Sequence, residues 1–258
     1  MPWYAVNTRI LIDRLRILVP DVKQAWLADD SAGGGSISSL HNWFLQLSSE
    51  GEKFGYFVNG LKSWLIIKNA EKMNEAKKIF GNMVNITQDG KRHLGAVIGS
   101  KEYKDLYCQN MVDGWMDELE KLTEIAKSQP QAAYIALTKA YKSKFTYFMR
   151  TIDGFEEYVS PIDILLGENF LPAIFDSDTP LEHPLSDLVT FSPKLGGLGI
   201  PSLQRDSSSQ FDASKIITAN HVNSIIEQST QMKKPEKPIK ILKQELKQKK
   251  AEKGEKTM

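Results

Sequence analysis

The chain has 258 residues, 41% of them hydrophobic and 25% charged, with 17 glycines and 11 prolines, a composition that excludes collagen-like and disordered chains. Its length allows one large domain or two modest ones; its one cysteine excludes an internal disulfide and a thiolate metal site and points to a reducing intracellular setting; and no stretch reaches the roughly 18 apolar residues of a membrane span. The formal net charge is +1, but residues 231–258 carry ten lysines against four glutamates, which leaves −5 on the first 230: a basic tail on an acidic body, read either as a solvated end or as a weak sign of a polyanionic partner.

Residues 4–18 place Val6, Ile10, Leu11, Leu15 and Leu18 at mostly helical spacing among Arg9, Asp13, Arg14 and Arg16, and Pro20 ends the run. This predicts a short amphipathic helix, and the charges within it argue against a secretory signal. Residues 22–28 then read as a strand, Asp29-Asp30 as a sharp acidic turn, and the glycines that follow as a flexible run. From 36 to 49, Leu40, Trp43, Phe44 and Leu47 fall at i, i+3, i+4 and i+7 behind a Ser36 cap, which predicts a helix.

Two short aromatic or β-branched runs, 54–59 and 63–68, flank Gly60-Leu61-Lys62 and predict a pair of strands. A helix over 71–80 ends at Gly81. Strands over 84–87 and 92–98 are joined by Gln88-Asp89-Gly90-Lys91, whose Asp-Gly is a hairpin signal. The first 99 residues therefore predict an α+β domain.

After Gly99 the pattern becomes helical. Cys108, Val112, Trp115, Leu119, Leu122 and Ala126 form a heptad-type seam on a helix over 101–127. Pro130 opens a second helix running to about 150, and shorter helices cover 161–170 and 207–228. Between them lies Leu195-Gly196-Gly197-Leu198-Gly199-Ile200, which lacks the spacing and lysine of a phosphate-binding loop. Cys108, on the seam, reads as a small buried hydrophobe. The four histidines, His41, His93, His183 and His221, are too scattered for a metal site.

Asp29 and Asp30 are the first candidates for chemistry. Adjacent carboxylates repel by roughly 4 kcal/mol if 4 Å apart in partly screened surroundings. In an open turn solvent removes that cost and nothing needs explaining. In a groove, Mg²⁺ or Mn²⁺ is the natural partner, because a pair of hard cations can activate a hydroxyl nucleophile and hold a leaving pyrophosphate. Lys62, in a loop between two short runs, reads as a solvated charge, with Asn59 fixing the loop through a backbone hydrogen bond. Lys139, Lys142 and Lys144 alternate with Tyr141, Phe145, Tyr147 and Phe148, a pattern that serves phosphates and bases or simply gives a helix a core face and a wet face.

The segment Trp26-Leu27-Ala28-Asp29-Asp30-Ser31-Ala32 resembles the Tyr-Ala-Asp-Asp hairpin of reverse transcriptases, with Leu27 where that family has Tyr or Phe. The helix that follows is similar to the palm helix, and 55–64, Gly-Tyr-Phe-Val-Asn-Gly-Leu-Lys-Ser-Trp, resembles the next palm motif, whose lysine approaches the incoming nucleotide. His93-Leu94-Gly95-Ala96-Val97-Ile98-Gly99 resembles the primer-grip hairpin, and the LGGLGI loop resembles one found downstream of the polymerase region in retrotransposon enzymes. Four motifs in this order cover roughly residues 23–227.

The resemblance implies a partial palm over 1–99, an antiparallel sheet with helices that seats the acidic turn beside the lysine loop and the grip. It implies a helical thumb over 100–175, a helical connection over 176–230 and a basic tail over 231–258. It makes Asp29, Asp30 and Lys62 catalytic, with the two aspartates holding Mg²⁺ or Mn²⁺. Leu94, Gly95 and Gly99 become the primer grip, and Lys139, Lys142 and Lys144 the nucleic-acid contacts. Its partners are an RNA or DNA template-primer and deoxynucleotide triphosphates.

In the palm that the sequence resembles, two ions need three carboxylates, one from a strand far upstream, and Asp13 and Asp21 lie in the wrong setting to supply it. The fingers and first half of the palm are expected to be missing, so that the chain is weakly active or inactive alone and has that N-terminal half as a partner. The alternative is a noncatalytic nucleic-acid-binding protein that retains the fold.

Overall fold

The computed structural model describes residues 2–229 and residue 244; the basic tail predicted over 231–258 lies, Gln244 apart, outside the described residues. The chain is α+β and divides into two units, Met1–Lys91 with Ile217–Met258, and Arg92–Ile216. No described helix is long and apolar enough to cross a membrane.

The first unit opens with α1 (Pro2–Leu18), in which Leu11 and Leu15 are fully buried. An antiparallel ribbon of β1 (Lys23–Leu27) and β2 (Asp30–Gly34) follows. Then comes α2 (Ile37–Gly51), capped as predicted by Ser36, whose hydroxyl accepts the Ser39 amide at 3.1 Å. Trp43 and Leu47 of α2 join Leu11, Leu15, Val19 and Val22 in one apolar cluster. Within it Gln24, 2% exposed, is satisfied: its amide oxygen accepts Trp26 Nε1 at 3.0 Å and Trp43 Nε1 at 3.3 Å, and its amide nitrogen donates to the Ile12 carbonyl at 3.3 Å. The glycines expected as a flexible run lie in and after β2: Gly33 and Gly34 end the strand and Gly35 follows it. A Cβ on Gly33 would lie 3.1 Å from Val22 and 3.2 Å from the Trp43 ring, so the missing side chain is what lets the ribbon pack on α2.

A second cluster joins Ile37 to β3 (Trp64–Ile66), α3 (Met73–Phe80) and β4 (Asn85–Thr87) through Leu65, Ile67, Ala76, Phe80 and Val84. Here two expectations are corrected. The run 54–59 is irregular rather than a strand, and β3 pairs with β4 in parallel. The crossover through α3 brings the chain back in the same direction, which a tight hairpin would not do. Since β4 is spent on that pairing, Asp89-Gly90 is not a hairpin turn. The ribbon is instead formed by β5 (Gly90–His93) and β6 (Ala96–Gly99), turning at Leu94-Gly95. Among the described residues the six strands make three separate pairs, not the single antiparallel sheet the palm resemblance implies.

The second unit is built on α4 (Lys101–Ser128), capped by Ser100, and all six seam residues are buried. The helix opened by Pro130 comprises α5 (Pro130–Ile135), a π-helical segment Ala136–Tyr141, and α6 (Lys142–Thr151). Next come α7 (Ser160–Leu165), a second π segment Leu166–Phe170, and α8 (Leu171–Phe175). They are followed by α9 (Leu185–Leu188) and α10 (Leu203–Ile226). One core takes Trp115, Phe145, Phe155, Phe170, Val189, Ile200 and Leu203, so residues expected in separate thumb (100–175) and connection (176–230) parts share it.

Candidate functional site

Leu27 pairs with Asp30, leaving Ala28-Asp29 as a two-residue loop with Ala28 in the left-handed region at φ 53°. Asp29 and Asp30 are both exposed at this tip. The tight acidic turn expected from the sequence is therefore present, with Asp29 in the loop and Asp30 opening β2.

The neighbouring segment 55–64 touches the ribbon through Tyr56. Its hydroxyl donates to the Asp29 carbonyl at 3.0 Å and lies 3.0 Å from the Ser31 hydroxyl, and its ring meets Trp26 edge-on at 5.3 Å between centroids. Nothing in the residue spacing singled out Tyr56. It looked like one more aromatic of a strand, and only the fold reveals its polar end as a brace for the acidic tip.

Lys62 ends a 3₁₀ turn, Gly60–Lys62. The Asn59 side chain accepts the Lys62 amide at 3.2 Å, as the sequence suggested, and Asn85 donates to the Leu61 carbonyl at 2.7 Å from the far side of the turn. A Cβ on Gly60 would stand 2.3 Å from the Met83 carbonyl oxygen, so glycine is required there. The backbone of the loop is thus fixed, and the Lys62 side chain is left exposed.

Leu94 and Gly95 form the tip of the β5–β6 ribbon, at φ 50° and 82°, and Gly99 is exposed at the end of β6. Tyr107 donates to the Gly95 carbonyl at 2.9 Å, and Tyr147 donates to the Leu94 carbonyl. The turn and both tyrosines belong to the second unit, and neither role was legible from spacing.

The three lysines diverge. Lys139 is exposed, Lys142 donates to the Gly199 carbonyl at 3.0 Å, and Lys144 pairs with Glu118 at 2.8 Å and lies 5.4 Å from the Trp115 ring centre. Phe145 is fully buried, and Phe148 packs on the same core, against Trp115 at 5.1 Å. The alternating pattern is therefore largely a core face plus tethering charges. Lys142 also gives the glycine-rich loop a physical basis. With Tyr134 donating to the Leu198 carbonyl at 2.7 Å, it secures two successive carbonyls, while Gly197 fits where a Cβ would lie 2.3 Å from the Phe191 carbonyl oxygen.

A pair of adjacent carboxylates suits one hard cation, but among the described residues no three His, Cys, Asp or Glu side chains gather to hold a metal. Compared with family models, curated proteins and solved structures, the chain matches none.

Proposed function

We propose that this chain is a reverse transcriptase-like palm and thumb portion that binds an RNA or DNA primer-template and contributes Asp29 and Asp30 to a nucleotidyl-transfer site without completing it. The observation that carries this reading is the two-residue loop between Leu27 and Asp30, which puts both acids of the Leu-Ala-Asp-Asp sequence at an exposed tip. Tyr56 braces that tip from the segment that ends in the fixed Lys62 loop. In this reading Asp29 and Asp30 donate to Mg²⁺ or Mn²⁺, which would neutralise triphosphate charge, and Lys62 faces the leaving group. The third carboxylate comes from another polypeptide segment.

The missing third donor favours a second reading for the chain by itself, a noncatalytic nucleic-acid binder. Fluorescence anisotropy with a labelled primer-template checks both. Binding that weakens about tenfold or more between 50 and 200 mM salt is expected, because released counterions drive such association. Absent or salt-independent binding overturns both readings. Added Mg²⁺ and deoxynucleotides are expected to give no extension with this chain alone. Template-dependent synthesis abolished by Asp29→Asn would show instead that the chain completes the site.

A further inference from the structure

A cavity of about 260 Å³ opens within the second unit between the π segment Leu166–Phe170, the stretch 180–190 and residues 200–202. Its walls are apolar at Leu166, Leu171 and Ile200, all three buried, and its polar groups are the carboxylates of Asp163 and Glu168 and the hydroxyls of Ser186, Thr190 and Ser202. Apolar walls with a few placed polar groups are the usual make-up of a small-molecule site. Among the described residues no lysine or arginine lines it. Arg205 is close, donating to the Thr190 hydroxyl at 2.9 Å, but its charge is shared with the Asp206 carboxylate at 3.4 Å.

Asp163 is held in place. One carboxylate oxygen accepts the Leu203 amide at 2.7 Å, and the other accepts the Gln204 amide at 3.0 Å and the Ser202 hydroxyl at 3.4 Å. A carboxylate has about four acceptor sites, so room for a further donor is left. Burial outweighs those bonds and raises the carboxyl above the usual aspartate range, so its negative charge is not fully compensated within the chain. Gly167 lies in the π segment, outside the left-handed region, with nothing within 4 Å of where a Cβ would stand. Neither backbone nor packing calls for glycine there, and glycine weakens a helix relative to alanine. Its bare Cα leaves the cavity wall open, in a kind of segment that is frequent at functional sites.

We infer that this cavity binds a small organic cation, an ammonium group on a short apolar body, with Asp163 and Glu168 facing the charge and Leu171 and Ile200 facing the carbon chain. An anion would meet two carboxylates. A bare metal ion would find no third carboxylate or imidazole among the described residues and would leave the apolar walls uncovered. The site stands apart from the nucleic-acid reading given above and does not depend on it.

The test titrates the full chain with n-butylammonium and, as its neutral counterpart, 1-butanol, following backbone amide shifts by NMR. Butylammonium is expected to give saturable shifts centred on residues 163–171 and 200–204, and 1-butanol to bind about tenfold more weakly or less, since a hydrogen bond to a charged group is worth that much. Asp163→Asn keeps the shape of the side chain and removes its charge, and should weaken butylammonium about tenfold or more. Because Asp163 also holds the start of α10, Gly167→Leu is the second variant. It fills the cavity from an open position with both carboxylates in place, and should abolish the saturable shifts while the remaining spectrum stays native. No saturable shift in the parent, equal affinity for 1-butanol, or undiminished binding in either variant overturns the proposal.

Discussion

The Tyr56 hydroxyl stands 3.0 Å from the Asp29 carbonyl, so the acidic loop is braced by a side chain from outside its own ribbon. The same oxygen lies 3.0 Å from the Ser31 hydroxyl on β2, and one phenol thus spans the loop and the strand it feeds.

Tyr56→Phe keeps the ring against Trp26 and deletes only the hydroxyl. It is expected to cost about 1 kcal/mol in urea unfolding and to speed amide exchange over 27–32. Asp29→Asn, at an exposed position, is expected to stay within about 0.5 kcal/mol of the parent. Equal stability of Tyr56→Phe and the parent would mean that water replaces the brace without loss.

Three glycine-to-alanine substitutions should separate by sign. At Gly60 and Gly197 the new methyl would meet carbonyl oxygens at 2.3 Å, and thermal unfolding should register a loss of more than about 2 kcal/mol at each. Gly114, exposed within α4 and with nothing within 4 Å of its Cβ position, should gain about 0.5–1 kcal/mol as alanine. A stable Gly197→Ala would show that the LGGLGI loop is looser than its hydrogen bonds imply.

Acid should erode the second unit through Asp105. Its carboxyl is held below the usual aspartate range first by the Lys101 hydrogen bond and then by the Tyr158 hydroxyl. Because the folded value is depressed, the stabilisation is complete above the unfolded value of about 3.9 and disappears as pH falls through the folded one. In urea titrations the gap between parent and Asp105→Asn should be widest near neutral pH and shrink as pH is lowered below about 4. A gap independent of pH would assign Asp105 a packing role only.

Cys108 is fully buried, and burial pushes its thiol up to about 11. Alkylation near pH 8 should therefore be negligible in the native protein and complete in urea, because only the exposed thiolate reacts. Rapid native labelling would require α4 to open locally at Cys108.

Amphipathic helices were legible because burial on one face leaves a period in the sequence. The α4 seam was readable residue by residue and is buried throughout, and Ser36 announced the start of α2. The acidic turn was legible too, since turn-forming residues follow an apolar strand. The run 54–59 was misread because Phe54, Tyr56 and Val58 alternate like a strand while packing on the first unit's core from an irregular segment. The true turn at Leu94-Gly95 was hidden because its left-handed leucine and the glycine after it are held by Tyr147 and Tyr107, distant in sequence, contacts no local rule encodes. The parallel pairing of β3 with β4 was likewise invisible, since strand direction depends on where the intervening helix returns the chain.

The π segment Ala136–Tyr141 has a consequence for how the second unit tolerates length changes. A π turn accommodates one surplus residue, and each residue of an α-helix advances the phase by about 100°. Deleting Ala140 would remove that surplus and restore an uninterrupted α-helix in which Phe145 and Met149, 0% and 4% exposed, still face the core. The stretch 130–151 thus carries one spare position, and a one-residue deletion there would do less harm than the same deletion within the uninterrupted helix α4.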